Sequence, residues 1–589
     1  MDIEDSVGRL STEIAAEPIF VEKGGGTNGG RFFNVRIMRR SKKKPTEEEK
    51  GEERNDRREE RSVLPWDCTI FLRTWGCSHN NSDSEYMAGL LVRAGYKVTA
   101  EKNLADVWLL NSCTVKTPSE TQLANQIREA LSNSKGVVVA GCVSQASPNE
   151  PWLKGVSVIG VQQIHRIVYV VEETLKGNVV RLLSRQKTAT SSLMDLSMPK
   201  IRRNEFIEIL AINSGCLNHC TYCKTKAARG DLRSFSLSSL VNQARKALSL
   251  EGCRELWLTS EDLGAWGRDI GHTIPDLLHA LVEVIPDGCM MRLGMTNPPY
   301  ILDHLSEIAE ILRHPRVYSF LHIPVQSGSD AVLGDMKREY SVAHFCQIVD
   351  YMVKNVPNVY IATDFICAFP TETATDFAES VQLMCKYQFP SVFINQFYPR
   401  PGTPAARLKK IDTVEARRRT AEMTRLFHSY RRYSDERIGE EHLVLICERA
   451  TDGRHFVGHN KCYEHILVPD PFNHNPHQQQ QQKQQERGAA GGGGEEVTAK
   501  SLLGQWVRIR IVAVSKFYMR SEIVSIVKSE KGQQEEAVLP PPIAAKQSAD
   551  DKHWSTTIRN ALTAVALILL LRFLLSHLFC AVNRYRNEM

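Results

Sequence analysis

An α/β fold in several domains is predicted by two features of the sequence. Short apolar runs alternate with amphipathic helical stretches, first over residues 67–177 and again, on a larger scale, over residues 204–430. That alternation is the pattern of parallel strands covered by helices. A further stretch, residues 433–524, is β-rich, and an apolar run occupies residues 561–582 near the end of the chain. At 589 residues the chain is too long for one hydrophobic core. The predicted architecture is an N-terminal parallel-sheet α/β domain, an incomplete (β/α)6 barrel, a small β domain and a C-terminal transmembrane helix.

Residues 1–66 are expected to be a disordered extension, because RRSKKKPTEEEKGEERNDRREERS mixes charges with no apolar period. The N-terminus, MDIEDSVGRL, lacks a basic region followed by an apolar run, so no secretory leader is expected. It is too acidic for a mitochondrial presequence. Hydrophobic residues at 42% and charged residues at 24% are ordinary for a globular protein, which excludes a fully disordered or fibrous chain. The net charge of +6 permits RNA binding without arguing for it. The 15 cysteines are expected to lie in a reducing compartment, where thiolates hold metal rather than pair.

In residues 67–177, TIFLRTWGC, VWLLNSC and GVVVAGC each read as a buried strand ending in a cysteine, with helical SDSEYMAGLLVRAG and SETQLANQIREAL between them. In a parallel sheet the carboxyl ends of strands share one edge, where ligands bind. Cys77, Cys113 and Cys142 can therefore converge there. Packed core cysteines are the alternative for any one of them, and repetition in consecutive units favours a shared site. Residues 178–203 read as a linker. Six further strand candidates follow: FIEILAIN, ELWLTSE, MRLGMTN, YSFLHIPVQS, VYIATDFICAF and VFINQFYP.

A compact C-x3-C-x2-C, Cys216, Cys220 and Cys223, follows the first of these strands in NSGCLNHCTYCKTKAARG. Catalytic groups of such barrels lie at the carboxyl ends of the strands. Three thiolates leave one iron of a four-iron cluster open. A structural zinc site takes four ligands, usually as two cysteine pairs, and no second pair stands nearby.

This loop, with Tyr222 inside it, resembles that of the radical S-adenosylmethionine (SAM) superfamily. More widely, residues 67–524 resemble the methylthiotransferase family. The resemblance is carried by the three N-terminal cysteines, the compact loop, LTSEDLGAWGRDIG, RLGMTNPPY, HIPVQSGSDAVLGDMKREYS and NQFYPRPGTPAA. TWGCSHNNSDSEYMAG, YCKTKAARG and LTSEDLGAWGRDIG are most similar to the eukaryotic–archaeal branch, which acts on the threonylcarbamoyladenosine next to the anticodon of tRNA.

The resemblance implies two 4Fe-4S clusters, one on Cys77, Cys113 and Cys142 and one on Cys216, Cys220 and Cys223. These six cysteines would be catalytic through their clusters. It also implies SAM as cofactor, tRNA as substrate and an electron donor protein as partner. Glu261, with Asp262 beside it, Ser327 and Arg338 are the candidates for holding SAM, Arg338 by pairing with the SAM carboxylate. Pro370-Thr371-Glu372 departs from the Pro-Gly-Glu usual in the family, where glycine permits positive φ.

Residues 433–524 resemble a TRAM domain, a small RNA-binding β-barrel, with a low-complexity insert at 473–497. Arg508, Arg510, Lys516 and Arg520 beside Phe517 and Tyr518 suit phosphate contact and base stacking. Residues 525–557 read as a linker. Ala561 to Val582 is long enough to span a bilayer, although Arg572 near its centre costs about +2.5–3.5 kcal/mol on insertion scales. The expectation is a cytosol-facing, tail-anchored protein of the endoplasmic reticulum.

Rival readings are a methylthiotransferase acting on isopentenyladenosine tRNA or on a protein, and a non-catalytic, membrane-tethered iron–sulfur regulatory protein. The YCKTKAARG string argues against the first two. The intact open-iron loop argues against the last.

Overall fold

The structure, a computed structural model, describes residues 36–39, 67–114, 117–183, 194–471 and 501–527. Its first layer is a seven-stranded sheet of order β1-β7-β6-β5-β4-β2-β3. The strands are β1 (Arg36–Arg39), β2 (Thr69–Thr74), β3 (Lys97–Thr99), β4 (Val107–Ser112), β5 (Gly136–Gly141), β6 (Ser157–Ile159) and β7 (Asn178–Leu182). β2 to β7 run parallel, and β1 adds antiparallel to β7. Every residue of β4 is buried, as a central strand covered by helices on both faces must be. One face packs Phe71, Trp108, Leu110 and Val139 with Leu123 and Ile127 of the helix Thr117–Ser132. The other face shares one continuous core with the second layer.

Two boundaries differ from the sequence expectation. β1 lies inside the stretch expected to be disordered, and β7 lies inside the expected linker. β1 supplies the backbone partners that β7 would otherwise lack at the sheet edge.

β8 (Ile207–Ala211) leads into a two-stranded ribbon of β9 (Asn213–Ser214) and β10 (Arg233–Ser234), which brackets the compact cysteine loop. β8 pairs in parallel with β11 (Glu255–Thr259), and β11 with β12 (Met290–Arg292). β13 (Phe320–His322), β14 (Tyr360–Cys367) and β15 (Ser391–Gln396) form a second parallel trio. Parallel bridges Met291–Val317 and Met295–His322 join the trios. The result is an arc of six strands with β8 and β15 as open edges. β16 (Glu441–Arg449), β17 (His455–His459), β18 (His465–Pro469), β19 (Trp506–Val514) and β20 (Met519–Ile526) then close into a small barrel.

The fold class is corrected at the C-terminus. Among the described residues no helix is long and apolar enough to cross a membrane. The transmembrane helix, and with it the tail-anchored, endoplasmic-reticulum placement and the membrane partner, is therefore withdrawn: nothing in the described residues supports it. The weakness of the expectation is physical: Arg572 and His577 interrupt the run, and a charge at mid-span is costly. Residues 561–582, like the insert at 473–497 and most of 525–557, lie outside the described residues.

Candidate functional site: two cysteine sets joined by one arginine

β2, β4 and β5 are neighbours in the sheet, and Cys113 and Cys142 directly follow the paired ends Ser112 and Gly141. Cys77 ends the loop after β2 and caps the helix Ser78–Arg93. The three N-terminal cysteines thus stand on one sheet edge. Their backbone is shaped to bring them close. Gly76 has φ +113, and a Cβ there would lie 2.5 Å from Cys113 Cβ. Gly141 has φ +92, and a Cβ there would lie 2.4 Å from the Ser112 carbonyl oxygen. Only glycine meets both conditions. Gly215, before Cys216, shares the positive φ.

The first turns of Ser78–Arg93 are polar yet buried: Ser78, His79, Asn80, Ser82, Asp83, Ser84 and Glu85. Asn80 is central. Its Oδ1 lies 3.6 Å from Cys142 Sγ, its Nδ2 donates to the Trp75 carbonyl at 3.0 Å, and its carbonyl accepts from Asn111 Nδ2 at 2.8 Å.

The compact loop is held from several sides. Thr221 N–H donates to the Met336 carbonyl at 3.0 Å, and Ala405 N–H to the Thr221 carbonyl at 2.9 Å. Arg338 Nη1 donates to Cys220 Sγ at 3.0 Å, its Nε to Tyr340 at 3.2 Å, and its Nη2 to Asn297 Oδ1. Asn218 donates to Asp262 at 3.3 Å and accepts from Tyr300 at 2.7 Å. Burial pushes the Cys216 thiol up, with Asp262 adding to the rise. Burial also raises Cys220, opposed by Arg338. Each thiol must give up its proton to hold a metal centre as thiolate.

The short helix Thr225–Arg229, which follows Cys223, packs on the short helix Cys142–Ala146. Lys224 Nζ reaches Ser147 Oγ. Arg229 is 2% exposed. It donates to Asn80 Oδ1 at 2.8 Å and Asp83 at 2.7 Å, and pairs with Glu261 at 3.0 Å. The two cysteine sets, far apart in sequence, therefore meet across one buried guanidinium.

The SAM candidates are placed as follows. Glu261 is buried. It pairs with His79 at 2.9 Å and Arg229, and accepts Gly215 N–H at 3.0 Å. Burial works to raise its pKa, but His79 and Arg229 hold the carboxyl low. Burial pushes Asp262 up to about 6, against hydrogen bonds from Asn297. Ser327 accepts Ser329 N–H at 3.2 Å and lies 3.4 Å from Ser380, inside a turn after β13. The structure brings Glu261 and Arg338 to the cysteines and leaves Ser327 in local hydrogen bonding. The departure at Thr371 is neutral for the backbone: positive φ falls on Ala368, whose N–H donates to Glu372.

Among the described residues no three His, Cys, Asp or Glu side chains are placed to share one metal ion. In an iron–sulfur cluster each thiolate takes a separate iron.

A pattern of the radical SAM superfamily matches residues 210–384, and that of an uncharacterized protein family, UPF0004, matches residues 69–158. A threonylcarbamoyladenosine tRNA methylthiotransferase of Caenorhabditis elegans is 63% identical over 393 residues, 67% of this chain and 85% of the relative. One from Drosophila pseudoobscura pseudoobscura is 54% identical over 465 residues, 79% of this chain and 78% of the relative. The chain belongs to the threonylcarbamoyladenosine tRNA methylthiotransferase family. Among solved structures, a radical S-adenosylmethionine methyltransferase from Kitasatospora setae aligns with TM-score 0.43 at 13% identity, over 57% of this chain and 74% of that one.

For a methylthiotransferase of this family, sequence reasoning missed Arg229, His79, Asn80 and Asp83. The signal was present: a helix start with no apolar face, directly after a cysteine. The basic strand also divides. Lys516 donates to the carbonyls of Phe427 and Tyr430 and sits 4.0 Å and 4.1 Å over their rings. Arg510 is held between Glu441 and Glu522 at 2.8 Å and 2.9 Å. Arg508, Arg520, Phe517 and Tyr518 remain exposed.

Proposed function

We propose that the protein transfers a methylthio group to carbon 2 of N6-threonylcarbamoyladenosine next to the anticodon of tRNA, using SAM and a 4Fe-4S cluster on each cysteine set. The observation that carries the reading is the meeting of the two sets across Arg229. When bound, the centre on Cys216, Cys220 and Cys223 supplies radical cleavage of SAM, and that on Cys77, Cys113 and Cys142 supplies the sulfur. The chain's own residues orient both. Arg338 fixes Cys220, Asn218 ties the loop to Asp262, and Asn80 lies beside Cys142. Electrons come from a donor protein. RNA contact falls to Arg508, Arg520, Phe517 and Tyr518, since exposed aromatics beside cations stack unpaired bases. The six-stranded arc does not close between β8 and β15, and the bases of an anticodon loop are splayed when read.

The test supplies tRNA carrying deuterium at carbon 2 of that adenosine. Label should appear in 5′-deoxyadenosine. Cys77→Ala should keep SAM cleavage but form no methylthio product, and Cys220→Ala should abolish both. Absence of label, or equal turnover of isopentenyladenosine tRNA, rejects the assignment.

A further inference from the structure

We propose that Arg229 is a positioning residue shared by the two cysteine sets, which orients Cys142 and raises the reduction potential of the iron–sulfur centre held by Cys77, Cys113 and Cys142. The inference rests on the two-centre reading above. Arg229 is carried by the helix that starts two residues after Cys223, yet its guanidinium lies in the N-terminal site. There it touches Asn80 at 2.8 Å, and Asn80 Oδ1 is 3.6 Å from Cys142 Sγ. Asn80 thus links the Arg229 guanidinium to Cys142. On its other side it meets Glu261, whose second oxygen accepts the N–H of Gly215, next to Cys216. A path of contacts thus runs Cys142–Asn80–Arg229–Glu261–Gly215, and Gly215 precedes Cys216.

The electrostatic consequence has a sign. Reduction adds negative charge to a centre, and potentials follow the local charge and the hydrogen bonds to sulfur. Arg229 is buried, so its charge acts through a low dielectric. The cation favours the reduced state and should raise the potential. Asp83 and Glu261, at 2.7 Å and 3.0 Å from Arg229, work in the opposite sense. Two carboxylates around one arginine leave that trio with one net negative charge, and removing any one of them changes the local charge by a full unit.

The experiment uses the full chain with Cys216, Cys220 and Cys223 changed to Ala, reconstituted anaerobically. It should hold about four irons, on the ligand arithmetic of one cluster. The midpoint potential is then read by redox titration followed by electron paramagnetic resonance. Arg229→Gln should lower it by the equivalent of a tenfold change in the reduction equilibrium, about 59 mV for one electron. Glu261→Gln should raise it by a similar amount. Arg229→Lys, which keeps the charge and loses the fork, should fall between the parent and the Gln variant. A merely structural Arg229 would give shifts of one sign or none, and that result overturns the proposal. If Arg229→Gln does not fold, the Lys and Glu261→Gln variants carry the same test of opposite signs. If the parent binds no iron, the two-centre reading falls and the proposal with it. If it binds about four irons and the shifts lack opposite signs, only the proposal falls.

Discussion

Glu464 lies at 2% exposure between Arg432 and Arg437, 2.8 Å from each. Burial alone would raise its pKa, but the two guanidinium groups overcome it and hold the carboxyl down to about 2. The unfolded chain binds this proton near pH 4.3. Between these values the folded state holds fewer protons than the unfolded state, so stability falls as pH drops through that window. The ion pairs contribute about 3 kcal/mol above it, on the free energy of a pKa shift. Glu464→Gln should lower stability at pH 7 by a similar amount and flatten the acid limb between pH 4.5 and 2, read by denaturant melts across pH. An unchanged acid limb would remove Glu464 as its source. None of this was legible in the sequence, because an acid's partners come from distant positions. The six cysteines were legible because their spacing and strand-end placement are local properties. Arg229 was quoted within a family string, but its role depends on Asp83 and Glu261, which only folding brings near.

At the scale of elements, the useful pattern is a glycine before a cysteine: Gly76-Cys77, Gly141-Cys142 and Gly215-Cys216, all with positive φ at the glycine. Each turn ends a strand or ribbon and aims the next residue back over the sheet edge. Gly141→Ala would force a Cβ against the Ser112 carbonyl in a conformation L residues avoid. The variant should lose the N-terminal centre and keep the compact one, so iron falls from about eight to about four per chain. Retention of both centres would show that β5 can shift without displacing Cys142. The parallel strands themselves were legible, since continuous apolar runs of five or six residues mark strands buried on both faces. β1 was not, because RIMR sits in a charged stretch and becomes a strand by pairing with β7. The polar start of Ser78–Arg93 defeated periodicity for a related reason: its buried residues answer to a site, not to a core.

At the scale of the whole described molecule, the small C-terminal barrel closes the amino-terminal end of the six-stranded arc. Ile207, Ile209, Trp257, Phe320, Tyr360 and Phe393 of the arc share one core with Leu445, Cys447 and Tyr463 of the barrel. Tyr463 is the pivot. Its ring stacks on His459 at 4.1 Å and meets Tyr318 at 4.9 Å and Phe320 at 5.3 Å, with the Arg292 guanidinium 5.0 Å away. Backbone and polar contacts fasten the same seam: Ser319 N–H to the Lys461 carbonyl at 2.8 Å, Trp506 Nε1 to the Gly288 carbonyl at 2.9 Å, and Asn204 Nδ2 to the Cys447 carbonyl at 2.9 Å. Lys461 Nζ donates to the carbonyls of Leu312 and His314 at 2.7 Å and 2.8 Å and to that of Val317. A barrel seated this way cannot swing on a tether; its exposed Phe517 and Tyr518 hold a fixed orientation to the arc. Truncating a buried aromatic costs about 3–5 kcal/mol, and here the cavity would open on both modules. Tyr463→Ala should therefore lower the melting of arc and barrel together, as one shifted transition seen alike by near-ultraviolet and far-ultraviolet circular dichroism. Two separated transitions, with the helical signal of the arc left at its parent temperature, would show instead that the barrel is an independent module and that its orientation is not set by this core.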